Sequence, residues 1–222
     1  MFEWLKLQVV RVFSLVVYYL VEWESKDPLT EIIPVLNNRK CIQDIANNFT
    51  QIKDEIMKEV NNTTTIEGDL FFGSEITNDG KWKKKYVKWY SELSQTTKET
   101  FPVLCQVLER NNDVRLAMIS KLEPGAIIKP HNGVYRGCIR VHVGISTPND
   151  KNCYLKIGNC YYWWKDGEVI GFDDTYLHFV ENKTNQERII LFLDIDREMK
   201  NKWSQTFVKL ISSYIGKLTF RD

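Results

Sequence analysis

The sequence predicts a mainly β protein with flanking helices, its centre a sandwich or barrel of short strands. Three observations carry this reading. Between Val114 and Asp196, five β-branched and aliphatic runs recur at short intervals; turn residues separate them; and the segments on either side keep a helical period instead. The 222 residues suffice for one sizeable domain with a short extension, and 43% hydrophobic and 13% aromatic content supplies its core.

The elements follow in chain order. Val9 to Val21 (VVRVFSLVVYYLV) is strongly apolar, preceded by Lys6 and interrupted by Arg11 and Ser14. It is shorter than the ~20 residues a spanning helix needs, and Glu22-Trp23-Glu24-Ser25 offers no small-x-small cleavage pattern. Two readings stay open, a buried N-terminal helix and an uncleaved segment that associates with a membrane. Pro28 and Pro34 then break the chain, so the expected division is 1–36, apolar helix and linker, and 37–222, the folded domain. Ile42, Ile45, Ala46, Phe49, Ile52, Ile56 and Val60 keep helical spacing and predict one amphipathic helix from Lys40 to Val60.

Residues 61–65 read as a polar loop, and Asn78-Asp79-Gly80 as a tight turn between strand-like runs. The tract Lys81-Trp82-Lys83-Lys84-Lys85 reads as a solvated strand edge. Thirty basic against twenty-nine acidic residues leave a net charge of +1, and so no field to hold nucleic acid. The expected strands are Leu116 to Ile119, Cys138 to Val143, Tyr154 to Ile157, Glu168 to Phe172 and Ile189 to Leu193, with turns at Pro124-Gly125, Pro148-Asn149-Asp150 and Asp166-Gly167. Trp203, Phe207, Leu210, Ile211, Tyr214 and Leu218 return to helical spacing and predict a terminal helix packed on the sheet. The five cysteines (Cys41, Cys105, Cys138, Cys153, Cys160) lack CxxC spacing and read as core or strand residues, with a Cys153–Cys160 bridge across a hairpin as the alternative.

All three histidines, His131, His142 and His178, fall within the strand-rich region. Two imidazoles from different strands, His131 and His178, can hold a divalent first-row metal at a barrel mouth. Arg188 opens an apolar strand, where a buried guanidinium needs an anion: a ligand carboxylate, or a structural partner among Asp173, Asp194 and Glu187. Arg140 and His142 are two apart on a strand and share a face.

In order along the chain, Pro102, Lys121-Leu122-Glu123-Pro124-Gly125, His131-Asn132-Gly133, Arg140-Val141-His142-Val143-Gly144-Ile145, Trp164-Lys165-Asp166-Gly167-Glu168, Phe172-Asp173-Asp174-Thr175, His178 and Arg188 resemble the aspartyl/asparaginyl β-hydroxylases, a branch of the iron(II)- and 2-oxoglutarate-dependent dioxygenases. The resemblance implies a double-stranded β-helix (jelly roll) with Fe(II) held by His131 and His178. It implies 2-oxoglutarate anchored at its far carboxylate by Arg188 and Ser120 and helped at its near end by His142, with Arg140 facing substrate or cosubstrate. Gly133 stands where the wider superfamily places a carboxylate ligand, a lack this family shares. Asp174 is then the candidate partner of a metal-bound water, the alternative for Asp173-Asp174 being a turn or cap. The implied reaction uses O2 to hydroxylate an unactivated C–H while 2-oxoglutarate becomes succinate and carbon dioxide. Its first substrate reading is the β-carbon of Asp or Asn in a peptide or protein, and its second a lipid acyl chain. A non-catalytic binding protein on the same fold is the third class, and the joint presence of His131, His178, Arg188, His142 and Ser120 speaks against it.

Overall fold

Three nine-residue strands, β2 (Val114–Leu122), β4 (Cys138–Ser146) and β9 (Arg188–Asp196), are buried along almost their whole length because both of their faces are covered. One face, with Ala117, Ile119, Val141, Val143, Leu191 and Leu193, meets helices; the other, with Met118, Ile190 and Phe192, turns into a barrel. Burying each of these side chains larger than Ala117 contributes about 1.5–3 kcal/mol. The computed structural model that carries these features describes residues 2–34, 36, 38–62, 76–77, 80–90 and 92–219.

Two antiparallel sheets close the barrel. β1 (Trp82–Trp89), β2, β9, β4 and β7 (Val169–Phe172) lie in that order in one; β3 (Ile127–His131), β8 (His178–Asn182), β5 (Cys153–Ile157) and β6 (Cys160–Trp163) form the other. After β2 the chain crosses to the second sheet for β3, returns for β4, crosses for the β5–β6 hairpin, and repeats this through β7, β8 and β9. That alternation is a double-stranded β-helix. Gly125 (φ +74°) and Gly167 (φ +77°) take left-handed turn positions after β2 and before β7 that other residues adopt at a cost.

The predicted helix over Lys40 to Val60 is two helices, α2 (Lys40–Asn47) and α3 (Phe49–Glu59). Asn48 leaves helical geometry at φ −112°, ψ 14°, and its amide donates to the Asp44 carbonyl, while the apolar stripe continues across the break. Two helices not foreseen follow β1. Ser94 caps α4 (Gln95–Thr100) by accepting from Thr97 N–H, and Pro102 starts α5 (Pro102–Arg110), whose Leu104, Val107 and Leu108 pack with α2 and α3 on the first sheet. The strand β1 is indeed a sheet edge, yet Lys84 within it is buried over the Trp82 ring, while Lys83 and Lys85 pair with Glu123 and Glu59. All five cysteines are free thiols; Cys160 stands opposite Ile157 and Cys153 opposite Asn182, too far along the hairpin to bridge. Residues 63–65, 78 and 79 of the expected loop and turn lie outside the described residues.

The N-terminal helix α1 (Phe2–Glu24) lies along the terminal helix α6 (Lys202–Thr219), burying Val10, Val17 and Val21 with Val208, Ile211 and Ile215. Among the described residues no helix is long and apolar enough to cross a membrane. A buried ion cluster ties this layer to the barrel. Asp173 Oδ2 accepts from Arg136 Nε and Arg197 Nη2, each at 2.9 Å, and Arg136 also pairs with Glu22 of α1.

Candidate functional site

His131 ends β3 and His178 begins β8, and the antiparallel register sets them directly opposite, with ring centroids 4.2 Å apart. Each Nδ1 lies beside the carbonyl two residues back, His131 by Lys129 O at 2.7 Å and His178 by Tyr176 O at 2.8 Å. A carbonyl only accepts, so each Nδ1 carries the proton and each Nε2 keeps its lone pair. Burial lowers the pKa of both rings; His178 is pushed down to about 3 by burial and then by its neighbour His131. Two neutral imidazoles with free lone pairs could hold a divalent cation. Among the described residues no group of three or more His, Cys, Asp or Glu is arranged to hold one, so any metal site here rests on two protein ligands.

Behind the pair lies a cavity inside the barrel, walled by Ile128, Leu155, Phe172, Val180 and Phe192 and reached by Trp82, Ser120, His142 and Arg188. Arg188 is 1% exposed, and its Nη2 donates to Ser120 Oγ at 3.0 Å. Among the described residues no carboxylate pairs with it and Nε has no partner, and burial pushes its pKa down to about 10. The three acids weighed as structural partners are engaged elsewhere, Asp173 and Asp194 with other arginines and Glu187 with Lys121. The guanidinium stacks on Trp164 at 4.6 Å. Ser120 Oγ accepts both from Arg188 and from Trp82 Nε1 at 2.8 Å, which leaves its own proton for a ligand.

His142 is boxed by Phe172, Phe192 and Trp164 at 5.0, 5.0 and 6.0 Å, and among the described residues neither of its ring nitrogens has a partner. Burial, then Arg188 and Arg140, hold its pKa well below the usual value, so the ring is neutral. Trp164 Nε1 is likewise buried without a partner. Buried polar groups are satisfied in all but a few cases. A cluster of unsatisfied donors around an unpaired guanidinium fits a polar ligand carrying a carboxylate.

Arg140 shares the inward face of β4 with His142, as the spacing required, but its guanidinium is engaged. Nη1 lies 2.7 Å from Asp174 Oδ2, Nε 3.1 Å from Asp194 Oδ1 and Nη2 3.3 Å from Asp194 Oδ2. It was expected to face substrate or cosubstrate; the structure places it on the lining of the cavity, with two acids holding it. Asp174 is buried, which pushes its carboxyl pKa up against the pull of Arg140. Neither aspartate is a simple cap: Asp173 joins Arg136 and Arg197 while its Oδ1 accepts from Thr175 N–H at 3.1 Å, and Asp174 holds Arg140. A second, outer pocket is lined by Tyr90, Gly133, Val134, Tyr135, Asp174 and Asp194, and it shares His131 and Arg140 with the inner cavity. Trp82 was not read as a site residue. Its sequence neighbours, all lysines, mark only a strand edge, and its contact with Ser120 depends on the β1–β2 register.

A family model described as aspartyl/asparaginyl beta-hydroxylase matches residues 46–198. The chain is similar to an ornithine lipid ester-linked acyl 2-hydroxylase of Rhizobium tropici, 30% identical over 128 residues, covering 57% of this chain and 45% of that protein. It is 35% identical over 88 residues to aspartate beta-hydroxylase domain-containing protein 2 of Mus musculus, covering 38% of this chain and 25% of that one. To the aspartyl/asparaginyl beta-hydroxylase of Homo sapiens it is 23% identical over 163 residues, 70% of this chain and 21% of the relative. The chain thus spans less than half the length of these relatives. Among solved structures, a prolyl hydroxylase from Trichoplax adhaerens in complex with a peptide fragment of hypoxia inducible factor aligns with a TM-score of 0.48 at 12% identity, over 90% of this chain and 94% of that one. The matched span of the family model takes in β2 to β9, all three histidines, Arg140, Asp174 and Arg188, and the chain belongs to the aspartyl/asparaginyl β-hydroxylase family.

Proposed function

We propose that the protein is an Fe(II)- and 2-oxoglutarate-dependent hydroxylase of an unactivated C–H bond. The observation that carries this reading is the buried Arg188, a cation without a carboxylate among the described residues, set in one cavity with two histidines whose Nε2 lone pairs are free of the carbonyls that hold Nδ1. His131 and His178 would hold the metal; Arg188 and Ser120 would bind the far carboxylate of 2-oxoglutarate, and His142 and Trp164 offer further hydrogen bonds within reach of its body. When bound, the metal and cosubstrate supply oxygen activation, with 2-oxoglutarate leaving as succinate and carbon dioxide. The chain's own residues bind and orient: the aromatic box keeps His142 neutral, and the apolar wall excludes water from the reacting face.

The outer pocket would take the substrate, with His131 and Arg140 as the wall between it and the cosubstrate. There one guanidinium meets two carboxylates, Asp174 and Asp194, so its formal charge does not invite the carboxylate of an aspartate side chain. That observation favours a neutral reacting group. An acyl chain, the group named for the Rhizobium tropici relative, fits this charge; an Asp or Asn β-carbon in a peptide, after the human relative, is the second reading. The test is anaerobic loading with Fe(II), addition of 2-oxoglutarate and oxygen, and mass spectrometry of candidate acyl lipids and Asp- or Asn-containing peptides. A gain of one oxygen on an acyl chain supports the first reading and on a peptide the second; absence of succinate formation under all conditions rejects the cofactor assignment.

A further inference from the structure

The helix α1 is apolar on two opposite faces. Val10, Val17 and Val21 are buried against α6, whereas Val12, Leu15, Tyr19 and Trp23, on the far side of the helix, stand in solvent. The exposed set recurs at three- and four-residue intervals, the pattern of a face meant for an apolar surface. On α6, Trp203 and Leu210 repeat this. All six of these side chains are between 57% and 76% exposed. The two helices run side by side, joined by the edge-to-face contact of Phe13 with Tyr214, and each turns an apolar stripe to solvent.

Charge selects the occupant. Lys202–Thr219 contains no acidic residue; of its lysines, Lys209 pairs with Asp196 at 3.8 Å, and Lys202 and Lys217 are exposed. The acids at the end of α1 are engaged already, Glu22 with Arg136 and Glu24 with Asn201. A second copy laid on this face would set lysines against lysines; an anionic phospholipid surface would attract them, and Trp and Tyr suit a boundary that is apolar on one side and wet on the other. We propose that the outer faces of α1 and α6 form a docking surface for an anionic lipid bilayer, on which the protein lies without crossing it. The inner side of α6 meets residues of the outer pocket: Tyr135 Oη donates to Val208 O at 2.9 Å, and Cys138 touches Ser212. Docking therefore brings that pocket within about one helix diameter, ~10 Å, of the lipid headgroups. The inference agrees with an acyl substrate but does not rest on the reaction, since docking needs neither metal nor turnover.

The experiment is vesicle flotation of the full chain, with pure phosphatidylcholine or with about 30% phosphatidylglycerol added. The full chain should float with the anionic vesicles and much less with the neutral ones. Tyr19→Ser/Trp23→Ser/Leu210→Ser should weaken partition more than about ten-fold. Lys202→Glu/Lys217→Glu, which leaves the apolar stripe intact, should reduce anionic binding toward the neutral level, by about five-fold per lysine removed. All five substituted positions are solvent-exposed, and matching circular dichroism and melting curves check that both variants fold. A parent chain that floats with neither vesicle overturns the proposal, as does an apolar variant that floats like the parent. Sedimentation velocity supplies the other overturning outcome, a non-floating parent that is a dimer and becomes a monomer in the apolar variant, because a second copy would then cover the face.

Discussion

Gly133 and Asp174 compete for one volume: Gly133 N–H donates to Asp174 O at 2.7 Å, and a Cβ at position 133 would lie 2.0 Å from Asp174 Oδ2. The position two residues after the first histidine, where the wider superfamily carries a carboxylate, has no room for one here because the carboxylate of Asp174, held by Arg140 at 2.7 Å, is already there. Gly133→Asp would therefore displace Asp174 before it could add a ligand. Gly133→Ala should cost about 1–3 kcal/mol in urea unfolding, the range for overpacking. In an Asp174→Ala background the same substitution should cost little; an equal cost in both backgrounds would sever the link between the two residues.

Replacing His131 or His178 by Ala should leave the fold intact and weaken Mn(II) or Fe(II) binding by more than the about 10- to 100-fold typical of losing a ligand's supporting partner. Anaerobic titration of the two variants measures it. Parent-like affinity in both would remove the metal assignment.

Arg188→Met should separate stability from binding. The parent buries a cation with no acid paired to it among the described residues, so the variant without cosubstrate should be as stable as the parent or more so. Affinity for 2-oxoglutarate should fall by about 2–5 kcal/mol, the cost of truncating one partner of a buried charge pair. Thermal melting with and without 2-oxoglutarate reads both, and a variant still protected by the ligand places the carboxylate elsewhere.

Arg140→Ala would leave Asp174 and Asp194 buried without their shared cation. Loss of one partner from such a cluster costs about 3–5 kcal/mol, and urea titration at pH 7 should show a loss of that size. A loss under about 1 kcal/mol would mean the cluster is as weak as an exposed ion pair.

His142 sets a pH dependence in the metal-free chain. Its folded pKa is depressed by burial, so the unfolded chain takes up a proton that the folded chain refuses. The stability from the neutral ring is complete above its unfolded pKa of about 6.5 and declines as pH falls below it. His142→Phe should flatten the decline between about pH 6.5 and pH 4 relative to the parent, and superimposable pH profiles would refute this.

How much the sequence disclosed depended on the range of the interactions involved. β2, β4 and β9 were legible because burial on both faces demands unbroken apolar runs such as Ile189 to Leu193. β3 and β8 were legible only as the strands that bring in His131 and His178, without bounds, since Lys129-Pro130 and Glu181-Asn182 interrupt their apolar pattern and cross-strand pairing defines them. The break at Asn48 was hidden because the apolar stripe runs through it. Within the site, the motifs named His131, His178, Arg188 and Ser120, and the structure brings these together in one cavity. The capture of Arg140 by Asp194 and of Asp173 by Arg136 and Arg197 could not be read, because those partners are 54, 37 and 24 residues apart in the chain.

The place of β9 in its sheet bears on how the protein is made. It lies between β2 and β4, although it is the last strand to be synthesised. While the chain grows from its N-terminus, β2 and β4 exist with the edges meant for β9 unpaired, and Ser120 has no Arg188 beside it. The cosubstrate pocket therefore comes into being late and in one step, when Arg188–Asp196 slots in. Until that moment, or permanently in a product cut short before β9, the nascent protein offers two apolar strand edges to any chaperone or neighbouring chain that can add a strand.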